Sequence, residues 1–419
     1  MSKPERVLNY LSACAVLSVS ICGYAVANTS QSMPNSQSTG AATAYDYIDA
    51  IEDIEAKQST YSEELSDLYL SLGRAQLVQG DFLSAKRAFE RGMQIERINN
   101  GLNSISQRPF LLLLADTESY LGNWRQSRNA LDNLYSINWR TYGDNDPQLL
   151  PVLDEILDWF LQTYERRTPS GGYENLIVAE RVGQTIDAIL TSNSDIDPRE
   201  KSSKHRKLAA LHYLISNHIR QHGDRNSSEV TFTSGQSSIN GRNLTSSHLH
   251  FQRGKRALEK VVECLVEQDA GTPQEQALAI AQLGDWYLIF GQRYAAQRTY
   301  VLASDLLANL EPSEDSNLVL FEEPYRIRFD LNAATNKDME KTVTHENDNK
   351  NTIEVGMTVS RLGAISNIEV INPSQEITDK QFANLKANLR NTRFRPKIVN
   401  GETAVSSHTE FFPVTMLER

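Results

Sequence analysis

The sequence predicts a mainly α chain, a helical solenoid over about residues 45–310 followed by a small α+β module at 352–419. Three observations carry that prediction. Apolar residues recur at helical spacing through the long central span, and a layout of small residues around one glycine recurs within it. Near the C-terminus the hydrophobic period drops to two residues, that of a strand with one buried face.

Residues 1–27 come first. Lys3 and Arg6 precede an apolar stretch at 11–26, and Ala25-Val26-Ala27 has the small-x-small form that signal peptidase accepts. The first reading is a cleaved export signal with Asn28 as the mature start, which places the protein in the periplasm. Residues 7–27 are also long enough to span a bilayer as a retained anchor, which would place it on the inner membrane. Leu11-Ser12-Ala13-Cys14 has a lipoprotein form, but the apolar run before Cys14 is short. Cleavage removes Cys14 and Cys22 and leaves Cys264 alone, so no intrachain disulfide is expected. Cys264 sits in the apolar helical run 261–266 and reads as a buried, inert thiol.

Residues 28–44, rich in Ser, Asn, Gln, Thr and Ala, read as a disordered lead. In the helical span, Leu72-Gly73, Gly80, Ala85 and Phe89 set a layout that Leu283-Gly284, Tyr287, Gly291, Ala296 and Tyr300 repeat. Leu114-Ala115, Gly122, Trp124 and Leu131 form a weaker copy. Gly80, Gly122 and Gly291 fall at turns between helices, where a positive backbone angle suits glycine. This spacing resembles the tetratricopeptide (TPR) repeat, in which small residues let two antiparallel helices approach. The first two copies are offset by more than the usual thirty-four residues, so 99–108 reads as an insertion. Candidate helices at 149–165, 173–191, 204–221 and 247–267 read as degenerate repeats. One hairpin cannot bury its own apolar face, so the hairpins are expected to stack into one curved domain. The Ser/Asn/Gly-rich stretch 223–246 reads as a mobile loop, and 311–351 as a linker holding a short strand candidate at 325–331.

In the tail, Ile353, Val355, Met357 and Val359 alternate. Arg361-Leu362-Gly363 turns the chain, and Ile365, Ile368 and Val370 form a return strand stopped by Pro373. Asp379 can cap a helix carrying Phe382, Leu385 and Leu389 on one stripe. After Arg393-Phe394-Arg395-Pro396, Asn400-Gly401 signals a hairpin, and 405–414 reads as the closing strand with Phe411-Phe412-Pro413-Val414 at its end. The order and spacing of these pieces resemble the C-terminal domain of TonB, the envelope energy transducer of Gram-negative bacteria, and of its relatives. That resemblance implies a binding module without catalytic residues, whose exposed strand edge accepts a partner segment.

Composition and motifs narrow the function. A formal charge of −11 argues against a general nucleic-acid binder. Six of the eight histidines lie between His205 and His250, which raises a metal site. His218 and His222 would share a helix face, with His248 and His250 across the loop, but no HExxH pattern is present. Solvent-facing histidines near a helix end are the expectation, with no metal and no cofactor. No G-x-S-x-G elbow or phosphate-binding glycine loop is present. Trp124, Trp139, Trp159 and Trp286 fall within helical periodicity and read as core.

Lys380, Lys386, Arg390, Arg393, Arg395 and Lys397 form a basic cluster that could steer an acidic segment toward the strand edge. The candidate partner-binding residues are Arg390, Arg393, Arg395, Lys397, Phe411 and Phe412. The expected function is a non-enzymatic cell-envelope adaptor whose partners are envelope proteins or peptide segments. Outer-membrane receptors are among the partners that the TonB resemblance implies, and membrane contact depends on a retained N-terminal segment. The alternative is a TonB-type transducer coupling an inner-membrane motor to outer-membrane transport. Against it, the apolar N-terminal segment carries no His, and thirteen scattered prolines do not make a stiff spacer.

Overall fold

The computed structural model describes residues 43–166, 172–223, 246–308, 320–329, 352–371, 377–390 and 392–417. The N-terminal leader, nearly all of the 28–44 lead and most of the 223–246 loop lie outside these residues, as do Pro373 and much of the 311–351 segment. The protein is mainly helical with a small sheet region near its C-terminus. Among the described residues no helix is long and apolar enough to cross a membrane. The chain divides into two compact units, residues 1–194 and 195–419, so the boundary falls inside the span read as one helical domain.

The first unit opens with α1 (Ala44–Lys57), started by a capping box in which Thr43 and Asp46 satisfy each other's backbone amides. Three helical pairs follow: α2 (Glu64–Val78) with α3 (Phe82–Asn100), α4 (Arg108–Tyr120) with α5 (Trp124–Tyr142), and α6 (Leu150–Arg166) with α7 (Tyr173–Ser192). Gly80 and Gly122 turn the first two pairs at φ +78° and +77°. Seven residues before the turn, Gly73 lies so close to the buried Phe89 ring that a Cβ there would collide with it. The 99–108 insertion is organised by Gln107, whose amide donates to the carbonyls of Gly101 (3.2 Å), Leu102 (2.9 Å) and Ser104 (3.3 Å).

The second unit holds α8 (Pro198–His222) against α9 (Ser246–Val262), then α10 (Pro273–Ile289) against α11 (Arg293–Ala308). Helix α8 starts earlier than the periodicity suggests, because Asp197 caps it and Pro198 occupies the first turn, where no amide is needed. A π-turn at Glu263–Glu267 extends α9 and holds Cys264, a buried free thiol that burial pushes up. Gly291 repeats the turn at φ +78°, and Gly284 faces the Tyr300 ring as Gly73 faces Phe89.

The tail forms an antiparallel sheet in the order β3 (Ile365–Ile371), β2 (Thr352–Val359), β7 (Ser406–Pro413). Helix α12 (Asp379–Leu389) contributes Leu385 and Leu389 to one core with Val355, Met357, Val359, Phe394, Phe412 and Leu417. The alternation read from 353–359 is therefore the buried face of β2. The cap of α12 is a correction. Thr378, not Asp379, precedes the helix, accepting from the Gln381 amide (3.3 Å) while Gln381 Oε1 accepts from Thr378 (3.0 Å). Asn400 (φ +52°) and Gly401 (φ +76°) turn a short hairpin, β5 (Ile398–Val399) to β6 (Glu402–Thr403).

The segment read as linker is partly packed. Leu320 and Phe321 are buried against α10–α11, and the strand candidate at 325–331 shortens to β1 (Tyr325–Arg326), which pairs with β4 (Phe394–Arg395).

Candidate functional site

The outer edge of β7 follows from the sheet's register. Strand β2 lies in the middle, paired on both sides, and β3 and β7 are the edges. The β2–β7 ladder runs without interruption from Thr352 opposite Pro413 to Val359 opposite Ser406. The β2–β3 ladder breaks between Gly356 and Thr358, beside Asn367 at φ +50°. A bulge of this kind bends an edge away from further pairing, whereas a regular strand presents alternate amides and carbonyls in a straight row. Among the described residues, β2 is the one strand neighbour of β7.

Side chains alternate along that edge. Ser407, Thr409 and Phe411 share one face, and Phe411 is 48% exposed. His408, Glu410 and Phe412 share the other. Glu410 is held by Arg326 (2.8 Å) and Arg328 (3.3 Å), and the Arg326 guanidinium lies over the Phe412 ring at 4.6 Å. These ion pairs lie on the covered face of β7, away from its outer main-chain edge.

The predicted partner-binding residues separate into two sets. Arg390 is exposed at the end of α12, and Lys397 is half-buried. Arg393 is also half-buried, donating to the carbonyls of Arg390 (3.1 Å) and Thr392 (2.9 Å). Burial lowers its pKa, and Arg293 and Arg220 add to that. Phe411 stands out from the sheet. Phe412 is wholly buried in the tail's core and cannot meet a partner, because the strand period turns it to the opposite face.

Arg395 is likewise internal, at 1% exposure. It grips Asp285 of α10 through Nε (3.1 Å) and Nη2 (2.7 Å), and the Tyr300 hydroxyl donates to the same carboxylate at 2.9 Å. The basic cluster is therefore not one patch. Sequence reasoning missed Arg326, Arg328, Glu410 and Asp285. The alternation of Arg326 and Arg328 in the strand candidate was a signal, but their partner lies more than eighty residues on.

The histidines also depart from expectation. His205, His212, His218 and His250 are buried, so solvent-facing positions are confined to His222 and His248 within the His205–His250 group. His218 and His222 do share a face, with ring centroids 4.7 Å apart. His212 and His250 meet Nδ1 to Nδ1 at 3.2 Å. Burial first, then His250 and Arg253, lower the pKa of His212 to about 3, so it is a neutral imidazole. Trp159 and Trp286 are buried, while Trp124 and Trp139 are half-exposed.

No protein-family model matches the chain, and no curated protein matches it. Among solved structures, the crystal structure of BtubC (BKLC) from P. vanneervenii matches at 12% identity and a TM-score of 0.32, covering 66% of this chain and 94% of that one. At that score the likeness carries no argument about fold or function.

Proposed function

We propose that the protein is a non-enzymatic adaptor of the cell envelope. In this reading a TPR-like helical scaffold holds one partner, and a TonB-like C-terminal module holds another by adding an extended segment beside β7. The observation that carries it is the unbroken ladder of β7, whose opposite edge has no strand neighbour among the described residues. Natural sheets blunt such edges with bulges, prolines or inward charges; β3 has its bulge, whereas β7 is regular until Pro413 and its inward Glu410 is paired with Arg326 and Arg328.

Main-chain pairing supplies about 0.5–1.5 kcal/mol net per hydrogen bond, so a short added strand binds modestly without an anchor. Phe411 is that anchor, an aromatic side chain already standing beside the edge.

The test is recovery of partners from envelope extracts with the full-length protein and with Phe411→Lys, followed by mapping of the bound segment. The reading expects a specific partner that binds through an extended segment and is lost at least tenfold in the variant. No specific partner, or one retained equally by both proteins, overturns it.

A further inference from the structure

A stack of helical hairpins has an exposed last member, whose outer apolar side must be covered by something. Among the described residues α10–α11 is the last helical hairpin, and its apolar side is covered by the 320–321 segment and parts of the tail. Leu320, Phe321 and Ile398 join its core, and the Ile398 amide donates to the Phe321 carbonyl at 3.0 Å, which binds the β5–β6 hairpin to that plug. Gln297 of α11 donates to Thr403 of β6 at 3.1 Å. At the centre, Arg395 and Asp285, 110 residues apart, form a two-point ion pair with both side chains nearly sealed from water.

We infer that β4 and the β5–β6 hairpin, with the 320–321 segment, are the built-in cap of the last helical hairpin, latched by the buried Asp285–Arg395 pair, so that the C-terminal module and the helices open as one cooperative body. Apolar plugs alone would tolerate sliding. The two-point pair does not, because only one docked position satisfies both donors of the guanidinium fork, and an opened or shifted position must rehydrate two charges. The tail is therefore a fixed extension of α10–α11, and a load or ligand at β7 is felt by those helices.

Hydrogen exchange of the full chain across a denaturant series tests this. In the unmodified protein the slowest amides of the β2–β7 ladder and of α10–α11 should lose protection together, with the same denaturant dependence. Asp285→Asn should accelerate exchange in both sets by on the order of a hundredfold, since it strands a buried guanidinium. The triple variant Asp285→Leu, Arg395→Met and Tyr300→Phe, which replaces the ion pair by apolar groups of similar bulk and removes the hydroxyl that Asp285 accepts from, should restore joint protection. If Asp285→Asn fails to fold, the unmodified protein and the triple variant decide. Ladder and helix amides that open at clearly different denaturant concentrations in either, or an Asp285→Asn ladder as slow as the original, overturn the inference.

Discussion

Gly284→Ala sets two physical effects of opposite sign against each other. In an exposed helix interior the change gains about 1 kcal/mol, because alanine loses less backbone freedom than glycine. At this position a Cβ would lie 2.6 Å from the Tyr300 ring. The ring cannot swing clear, for Tyr300 is 1% exposed and its hydroxyl is tied to Asp285 at 2.9 Å. Overpacking costs about 1–3 kcal/mol, and loosening a hydrogen bond to a charged carboxylate about 1.5–3 more if the ring moves. Against the gain of about 1 kcal/mol the clash leaves a net loss of up to about 2 kcal/mol with the hydrogen bond kept, and about 1.5–5 kcal/mol if it loosens, so the open population of α10–α11 should rise about tenfold or more. Amide exchange in those helices reads it directly, without assuming that the whole chain unfolds in one step. A variant more stable by about 1 kcal/mol would refute the close helix approach. Gly73→Ala, against Phe89, should behave alike.

Phe412→Ala should destabilise the tail by about 3–5 kcal/mol, whereas Phe411→Ala should stay within about 0.5 kcal/mol; thermal unfolding of both separates core from surface. Thr378→Ala should cost about 1 kcal/mol and Asp379→Ala only a few tenths, since the former removes a hydrogen-bonded cap and the latter a weak dipole contact. Burial raises the Asp132 carboxyl to about 7, opposed by Arg128, and its Oδ1 has no hydrogen-bond partner. The folded state then holds a proton that the unfolded chain has released above its ordinary 3.8, so stability falls as pH rises from about 4 to 7. Asp132→Asn should be neutral at pH 4 and more stable at pH 8, measured as the difference in thermal midpoint between the two proteins.

Local features were the readable ones. The alternation at 353–359, the turns at Gly363 and Asn400-Gly401, and the spacing from Gly73 to Phe89 each depend on neighbours within a few turns of chain, and each lies where the sequence puts it. Features that join distant residues were not. Arg395 resembles its exposed neighbour Arg390 in sequence, and only the docking of β4 against α10 separates their roles. The four buried histidines sit in polar-looking runs whose inward faces are set by packing. The segment 320–329 looked like a linker because its charged flanks hide three aromatic residues, Phe321, Tyr325 and Phe329, that meet the helices or the tail. Of the tail, the closing strand and the outward position of Phe411 could be read in advance; which strands lie at the sheet's edges could not, because that requires the strand order.

In the proposed function the protein works through the outer edge of β7. Residue-by-residue amide exchange of the full-length protein, free and with its recovered partner segment, measures that edge directly. The β2 amides should be protected throughout, and alternate β7 amides should exchange freely until the segment binds and then become protected. Outward β7 amides already protected in the free protein, or still exchanging freely in the complex, would contradict it.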